Sequence, residues 1–200
     1  VIRSIEDAGV GKKNATTEFF FDEMGRQDKT ISPLGRVDIV EFDLNGNVNK
    51  QIEDFGLGKL NRTTVFEFDD LGNQIKTTLD PDAPAYTGLK IINQSAYNEI
   101  GQLISTTAPN GLVTQYNYNY LGRQTSTVVD PTGLAITNST VFDLNGNVTQ
   151  TTDAGGLIVT VVYDALSRQG TQTVDPGGKN IVSKTFYNRD GSVDKTINPE

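Results

Sequence analysis

One pattern limits what this sequence can fold into: an aromatic residue, an acid or its amide, two variable residues and a glycine, with eight copies in 200 residues, one of them ending in Ser. The aromatic anchors are Phe21, Phe42, Phe68, Tyr97, Tyr118, Phe142, Tyr163 and Tyr187. Each is followed by Asp or Asn: Asp22, Asp43, Asp69, Asn98, Asn119, Asp143, Asp164 and Asn188. Four residues after each anchor comes Gly25, Gly46, Gly72, Gly101, Gly122, Gly146, Ser167 or Gly191. The steps between anchors are 21, 26, 29, 21, 24, 21 and 24 residues. A short repeat of this kind makes the module the unit of folding, because each copy contacts mainly its neighbours. The whole of residues 1–200 reads as a single run of such modules, with units starting near 21, 42, 68, 97, 118, 142, 163 and 187.

The chemistry of the pattern is that of a turn. Asp or Asn at its first position and Gly at its fourth suit a type I turn closed by a left-handed Gly, the three-residue hairpin loop with a bulge. Ser167 lacks the freedom of Gly, so its turn is expected to be strained or of another type. A second turn in each unit uses related residues: Ser32-Pro33-Leu34-Gly35, Ala108-Pro109-Asn110-Gly111, Asp130-Pro131-Thr132-Gly133, Asp153-Ala154-Gly155-Gly156 and Asp175-Pro176-Gly177-Gly178. There Pro presets φ and Gly closes the turn. Two such turns leave room for two strands of roughly six residues in the short period. The expected fold is all-β: tandem antiparallel hairpins forming one long curved or spiralling sheet, curled by the right-handed twist of its strands. Alternation puts Phe66 with Phe68, Tyr116 with Tyr118, and Val159 and Val161 with Tyr163 on one face. The strands that leave the turns, such as Gln124-Thr125-Ser126-Thr127, are polar on both faces. A longer period of 45–47 residues relates Ile5-Glu6-Asp7 to Ile52-Glu53-Asp54 and the block from Tyr118 to that from Tyr163, so successive hairpins are expected to alternate between two environments.

Tyr163-Asp164-Ala165-Leu166-Ser167-Arg168-Gln169 resembles the Tyr-Asp-x-x-Gly-Arg-Leu core of the Rhs/YD-repeat family. Phe21-Asp22-Glu23-Met24-Gly25-Arg26-Gln27 and Tyr118-Asn119-Tyr120-Leu121-Gly122-Arg123-Gln124 are similar to it as well. The similarity runs from about Ile5 to Ile197. It implies a segment of a large secreted or surface protein, of the kind found in polymorphic toxins, toxin-complex shells, wall-associated proteins and teneurins. In such proteins the sheet spirals into a hollow shell, often around a toxin domain. The sequence departs from the core where Asn47, Asn73, Gln102, Asn147 and Ser192 stand in place of Arg. No self-cleaving terminal segment and no toxin domain is recognisable in it.

Composition agrees with a wall more than with a globule. Apolar residues make up 36%, with one Met and no Trp, which is thin for a two-layer core. The sequence starts at Val1 and stops at Glu200 just into the next turn, so both ends read as cut from a longer array. Net charge is −8, and no Lys/Arg cluster of the kind that tracks phosphates is present, which argues against nucleic acid. No segment approaches the roughly 20 apolar residues that span a bilayer. With no Cys there are no disulfide staples.

Catalytic chemistry is hard to assemble from these residues. There is no His, which removes Ser-His-Asp and Cys-His sites and the commonest transition-metal ligand. The recurring aspartates read as turn caps. Asp43-Leu44-Asn45-Gly46-Asn47 and Asp143-Leu144-Asn145-Gly146-Asn147 place Gly fourth, where an EF-hand loop needs it sixth. No catalytic residue, metal or cofactor is therefore expected, and the anchors, acids and glycines named above are expected to be structural. The expected role is the wall of a shell around a toxin or other cargo domain, outside the cell or on its surface. The expected partners are flanking repeats of the same protein and the enclosed domain. The alternatives are an extended filament built of identical segments, and an adhesion module that binds carbohydrate or protein through the Pro- and Ala-rich stretch of residues 80–88.

Overall fold

The structure, a computed structural model, describes residues 2–6, 15–56, 59–82 and 90–198. Its contacts divide the protein into two compact units, Val1–Gly101 with Thr107–Gly111, and Gln102–Thr106 with Leu112–Glu200. Both are built only of antiparallel strands, and among the described residues there is no helix.

In the first unit, β1 (Ile2–Glu6), β2 (Ala15–Phe21), β3 (Gln27–Ile31), β4 (Val37–Phe42), β5 (Val48–Glu53), β6 (Arg62–Phe68), β7 (Gln74–Leu79) and β8 (Ile91–Tyr97) pair in sequence order, each with the next. In the second, β9 (Leu103–Thr107), β10 (Val113–Tyr118), β11 (Gln124–Val129), β12 (Ile136–Phe142), β13 (Val148–Thr152), β14 (Ile158–Tyr163), β15 (Gln169–Val174), β16 (Ile181–Tyr187) and β17 (Val193–Ile197) do the same. This is the meander expected from turn signals at short intervals. Each anchor is the last residue of its strand, because the Asp or Asn after it begins the turn.

Seven of the hairpins closed by an anchor turn carry the same irregularity. Phe21 faces Gln27 but Phe20 faces Lys29, so Asp28 is an extra residue on the leaving strand. Asn49 and Ile75 are the equivalents in the first unit. Thr125, Thr149, Gly170 and Asp194 are those in the second. At Thr125 and Thr149 the extra side chain bonds the carbonyl just before the anchor. Thr125 Oγ1 donates to Asn117 O at 3.2 Å, and Thr149 Oγ1 donates to Val141 O at 3.3 Å. At Gly170 a Cβ would sit 3.5 Å from Val162 O. Asp28 and Asn49 instead bury an oxygen, Oδ1 in each, that accepts no hydrogen bond among the described residues.

Among the described residues no two-layer core forms. Among the described residues only Ile52, 9% exposed, and Thr78, 5% exposed, are buried. The strands are half-buried along most of their length, as in a sheet wetted on both sides. Cohesion comes from the ladder and from cross-strand pairs. On the face opposite the anchors, Lys50 pairs with Glu41 at 3.1 Å and Lys76 with Glu67 at 2.7 Å, while Lys29 lies 5.0 Å from the Phe20 ring. The equivalent positions in the second unit hold Asn117 on Ser126, then exposed Val141 and Val162.

The second turns fall into two classes. Those at 32–35, 108–111 and 153–156 are tight and closed by a left-handed Gly35, Gly111 or Gly156. Those beginning at Asp130 and Asp175 differ from the four-residue turns expected from Asp-Pro-x-Gly. Asp130 is itself left-handed, at φ 54°, and its carbonyl accepts both Gly133 N and Ala135 N, at 3.0 and 2.8 Å. The loop is thereby lengthened and closes at Ala135, φ 50°, and not at Gly133. Asp175 does the same with Gly178 and Asn180. Gly133 and Gly178 have a different duty: a Cβ at either would overlap the carboxylate of Asp130 or Asp175, which caps Leu134 N or Lys179 N. Asp54 and Asp80 are also left-handed and open longer loops. Tight and wide turns thus alternate along the sequence, except where 54–61 and the loop opened by Asp80 follow one another. Residues 83–89, most of the stretch proposed above for adhesion, lie outside the described residues.

Candidate functional site: the stacked turns

The best-developed local structure is the anchor turn. In all eight, the amide of the Gly or Ser donates to the carbonyl of the Asp or Asn, at 2.9–3.2 Å. The glycines take φ of 77–95°, which their missing Cβ permits. Ser167 makes the same turn at φ 59°, so the substitution leaves turn type unchanged and puts a side chain in the left-handed region.

The acid holds the turn from inside. Asp22 Oδ1 accepts from Met24 N and Arg26 N, both at 2.9 Å, and Oδ2 accepts from Arg26 Nε at 2.7 Å. Asp164 does this with Leu166 N, Arg168 N and Arg168 Nε. In the turns of Asp43, Asp69 and Asp143, the neutral amide of Asn47, Asn73 or Asn147 replaces the guanidinium, at 2.8–3.0 Å. Asn119 caps Leu121 N and Arg123 N, and Asn98 caps Ile100 N. Asn188 donates to Ser192 Oγ.

These bonds favour the ionised carboxylate, so the pKa of Asp22, Asp43, Asp69, Asp143 and Asp164 is lowered from the ordinary 3.8. The leading cause is the backbone amide of the fifth turn residue for Asp22 and Asp164, and the Asn side chain for Asp43, Asp69 and Asp143; partial desolvation opposes it in each. A lowered folded pKa stabilises the fold above the unfolded value and loses that contribution as pH falls through the folded one. The urea midpoint is therefore expected to be flat near neutrality and to drop below about pH 3.8, the drop shrinking in Asp43→Asn and Asp143→Asn variants. Equal acid sensitivity of the variants would refute the capping account.

Successive turns are also tied to one another, which the sequence pattern did not disclose. In five of the turns the fifth residue reaches the next turn, 16 to 20 residues on. The Arg26 guanidinium carbon lies 4.2 Å from the centroid of Phe42, and Arg168 lies 4.5 Å from that of Tyr187. Arg123 lies 5.6 Å from Phe142 and donates to Asp143 O at 3.1 Å. Gln102 Nε2 donates to Gly122 O at 3.2 Å. The next turn's Gly leaves room for this side chain: a Cβ on Gly146 would stand 3.2 Å from the Arg123 guanidinium, and one on Gly122 would stand 3.1 Å from Gln102. Where the next turn has Ser167, the reaching residue is the shorter Asn147, which donates to Ser167 Oγ at 3.1 Å. Tyr anchors bind backwards as well. Tyr118, Tyr163 and Tyr187 donate their hydroxyls to Leu103 O, Val148 O and Gln169 O at 2.8–3.0 Å. The sequence signal for the forward tie was present in Arg26, Arg123 and Arg168, but their partners lie too far along the sequence for local pattern to name.

Among the described residues no group of three or more His, Cys, Asp or Glu is arranged to hold a metal, and no helix is long and apolar enough to cross a membrane. The concavity lined by Lys50, Ile52, Phe55, Asn61, Thr63, Val65, Pro81 and Asp82 is open to solvent.

Residues 97–135 and 142–179 match the family model RHS Repeat. No curated protein matches the sequence. Solved structures share its fold. A Photorhabdus luminescens Tc holotoxin pore with a point mutation in TccC3 is 14% identical, covering 94% of this protein and 11% of its own length, with a TM-score of 0.50. A crystal structure of TcdB2-TccC3-Cdc42 is 14% identical, covering 94% and 12%, also at 0.50. A crystal structure of TcdB2-TccC3 without its hypervariable C-terminal region is 13% identical, covering 92% and 11%, again at 0.50. At such identity the likeness is one of fold alone, and the 200 residues span about a tenth of the length of the proteins they resemble.

Proposed function

We propose that this protein, whose residues 97–135 and 142–179 are RHS repeats, is a structural wall segment of a larger extracellular protein and encloses a toxin or other cargo domain. The observation that carries the reading is the forward tie between turns. Within each unit successive strands are paired, and five of the anchor turns are clamped to the next turn as well, by Arg26, Gln102, Arg123, Asn147 and Arg168. A doubly joined array transmits load along the sheet and needs no second layer. In this reading the aromatic anchors, capping acids and left-handed glycines have no catalytic role, and residues 1–200 act as one continuous run. The toxin complexes named for the fold's neighbours support a cargo.

A filament of stacked segments is the second reading, favoured by the alternation of tight and wide second turns. Electron microscopy of the full-length protein separates them. Hollow compact particles with internal density are expected. Rods of constant width would overturn the shell in favour of the filament, and solid globules would overturn both.

A further inference from the structure

Two anchor turns share one heptapeptide, Phe-Asp-Leu-Asn-Gly-Asn-Val, at residues 42–48 and 142–148. In each, an Asn precedes the left-handed Gly: Asn45 before Gly46, and Asn145 before Gly146. Both asparagines are exposed, and their side-chain amides meet no hydrogen-bond partner among the described residues. Their neighbours Asn47 and Asn147 are different, since each is fastened to the capping aspartate. The amides of the two glycines make the longer turn bonds and also face the capping carboxylate of Asp43 or Asp143. Gly46 N and Gly146 N stand 3.1 and 3.2 Å from the carbonyls they bond, against 2.9–3.0 Å in the other six anchor turns. Their φ values, 91° and 95°, are the largest of the anchor-turn glycines.

We infer that Asn45 and Asn145 are sites of spontaneous covalent modification, deamidating through a cyclic imide to aspartate and isoaspartate. The Gly amide nitrogen gives its proton to solvent base and attacks Asn Cγ. A C–N bond forms there, the bond from Cγ to Nδ2 breaks, and ammonia leaves. Water then opens the five-membered imide at either carbonyl, giving Asp or its β-linked isomer, with no oxidant or reductant consumed. Gly offers no Cβ to block the approach. The preceding hairpin supplies a second help. Arg26 Nη1 lies 3.8 Å and the Arg123 guanidinium 3.2 Å from where a Cβ would stand on Gly46 and Gly146, and a nearby cation favours the anionic nitrogen that attacks. The third Asn-Gly pair, Asn110-Gly111, is an internal contrast. Its Gly N is held at 2.9 Å, and a Cβ on Gly111 would find nothing within 4 Å, so no guanidinium stands beside it.

The products alter the junction. Isoaspartate lengthens the turn backbone by one methylene and moves the Gly from beneath the guanidinium. Two defined turns would thereby weaken with the age of the protein, whatever the array encloses.

The test is peptide mapping of the full-length protein after incubation in mildly alkaline buffer, with isoaspartyl methyltransferase labelling. Circular dichroism through the incubation monitors folding, and the free heptapeptide runs in parallel. Isoaspartate is expected at 45 and 145, ahead of 110, with Asn47 and Asn147 unchanged and the folded signal intact at the outset. Arg123→Gln should slow position 145 and leave position 45 at its original rate. The inference is overturned if the free peptide reacts while 45 and 145 stay intact in the folded protein. It is equally overturned if Asn110 reacts as fast as 45 and 145 in the folded protein, because the guanidinium beside Gly46 and Gly146 would then contribute nothing.

Discussion

Gly146→Ala is expected to lower folding stability by about 2–4 kcal/mol, the sum of a left-handed penalty of about 1–2 kcal/mol and the overpacking of a filled site. The first arises because φ at Gly146 is 95°, and the second because a methyl group there would press on the Arg123 guanidinium at 3.2 Å. Gly25→Ala isolates the backbone component. Gly25 has φ 81° and nothing within 4 Å of where a Cβ would stand, so a loss of only about 1–2 kcal/mol is expected. Gly133→Ala tests steric overlap without the backbone component, since its φ is not left-handed and a Cβ there would overlap the Asp130 carboxylate. Urea midpoints of the three variants, with hydrogen exchange at the neighbouring amides, give the comparison. If Gly146→Ala and Gly25→Ala proved equal, the forward tie between hairpins would contribute nothing to stability.

Ile52→Ala carries the other large expected effect, a loss of about 2 kcal/mol, at the low end of the range for buried aliphatic truncations because no second layer covers the site. Ile52 is the one buried apolar side chain among the described residues, 9% exposed, on a strand flanked by β4 and β6. Leu44→Ala provides the contrast. Leu44 stands free at a turn tip with relative exposure of 106%, and its truncation should fall within about 0.5 kcal/mol of zero. Thermal or urea unfolding distinguishes the two variants. Equal effects would mean that cohesion lies wholly in the ladder and that burial of Ile52 is incidental.

What was legible in the sequence was what is local. Asp22 through Gly25 specify their own turn, because a carboxylate two to four residues from the amides it caps and a Gly at the fourth position are sufficient. Strand ends follow from that, since each anchor immediately precedes such a turn. The single bulged residue after each turn was not legible. Asp28, Asn49, Ile75, Thr125, Thr149, Gly170 and Asp194 share no chemistry, and a position that accepts so many types leaves no signature. The forward tie was half legible: Arg26, Arg123 and Arg168 recur, yet their partners are reached across the sheet and not along the sequence. Asp130-Pro131-Thr132-Gly133 misdirects because Pro and Gly are common to tight and wide turns. The deciding feature is the left-handed Asp130, whose conformation is stabilised by Leu134 N on its carboxylate and two amides on its carbonyl.

Within each unit the two margins of the hairpins differ as a book's spine differs from its fore-edge. Along the spine the turns keep one form, and those of Arg26, Gln102, Arg123, Asn147 and Arg168 also clasp the next turn. Along the fore-edge the loops range from the tight turn at 32–35 to the long loop at 54–61, and the variation in spacing, from 21 to 29 residues between anchors, is taken up on that side. Foreign sequence grafted into the fore-edge, at 54–61 for example, would leave the binding untouched. A family of such arrays can therefore display very different borders while turning its pages on the same hinge.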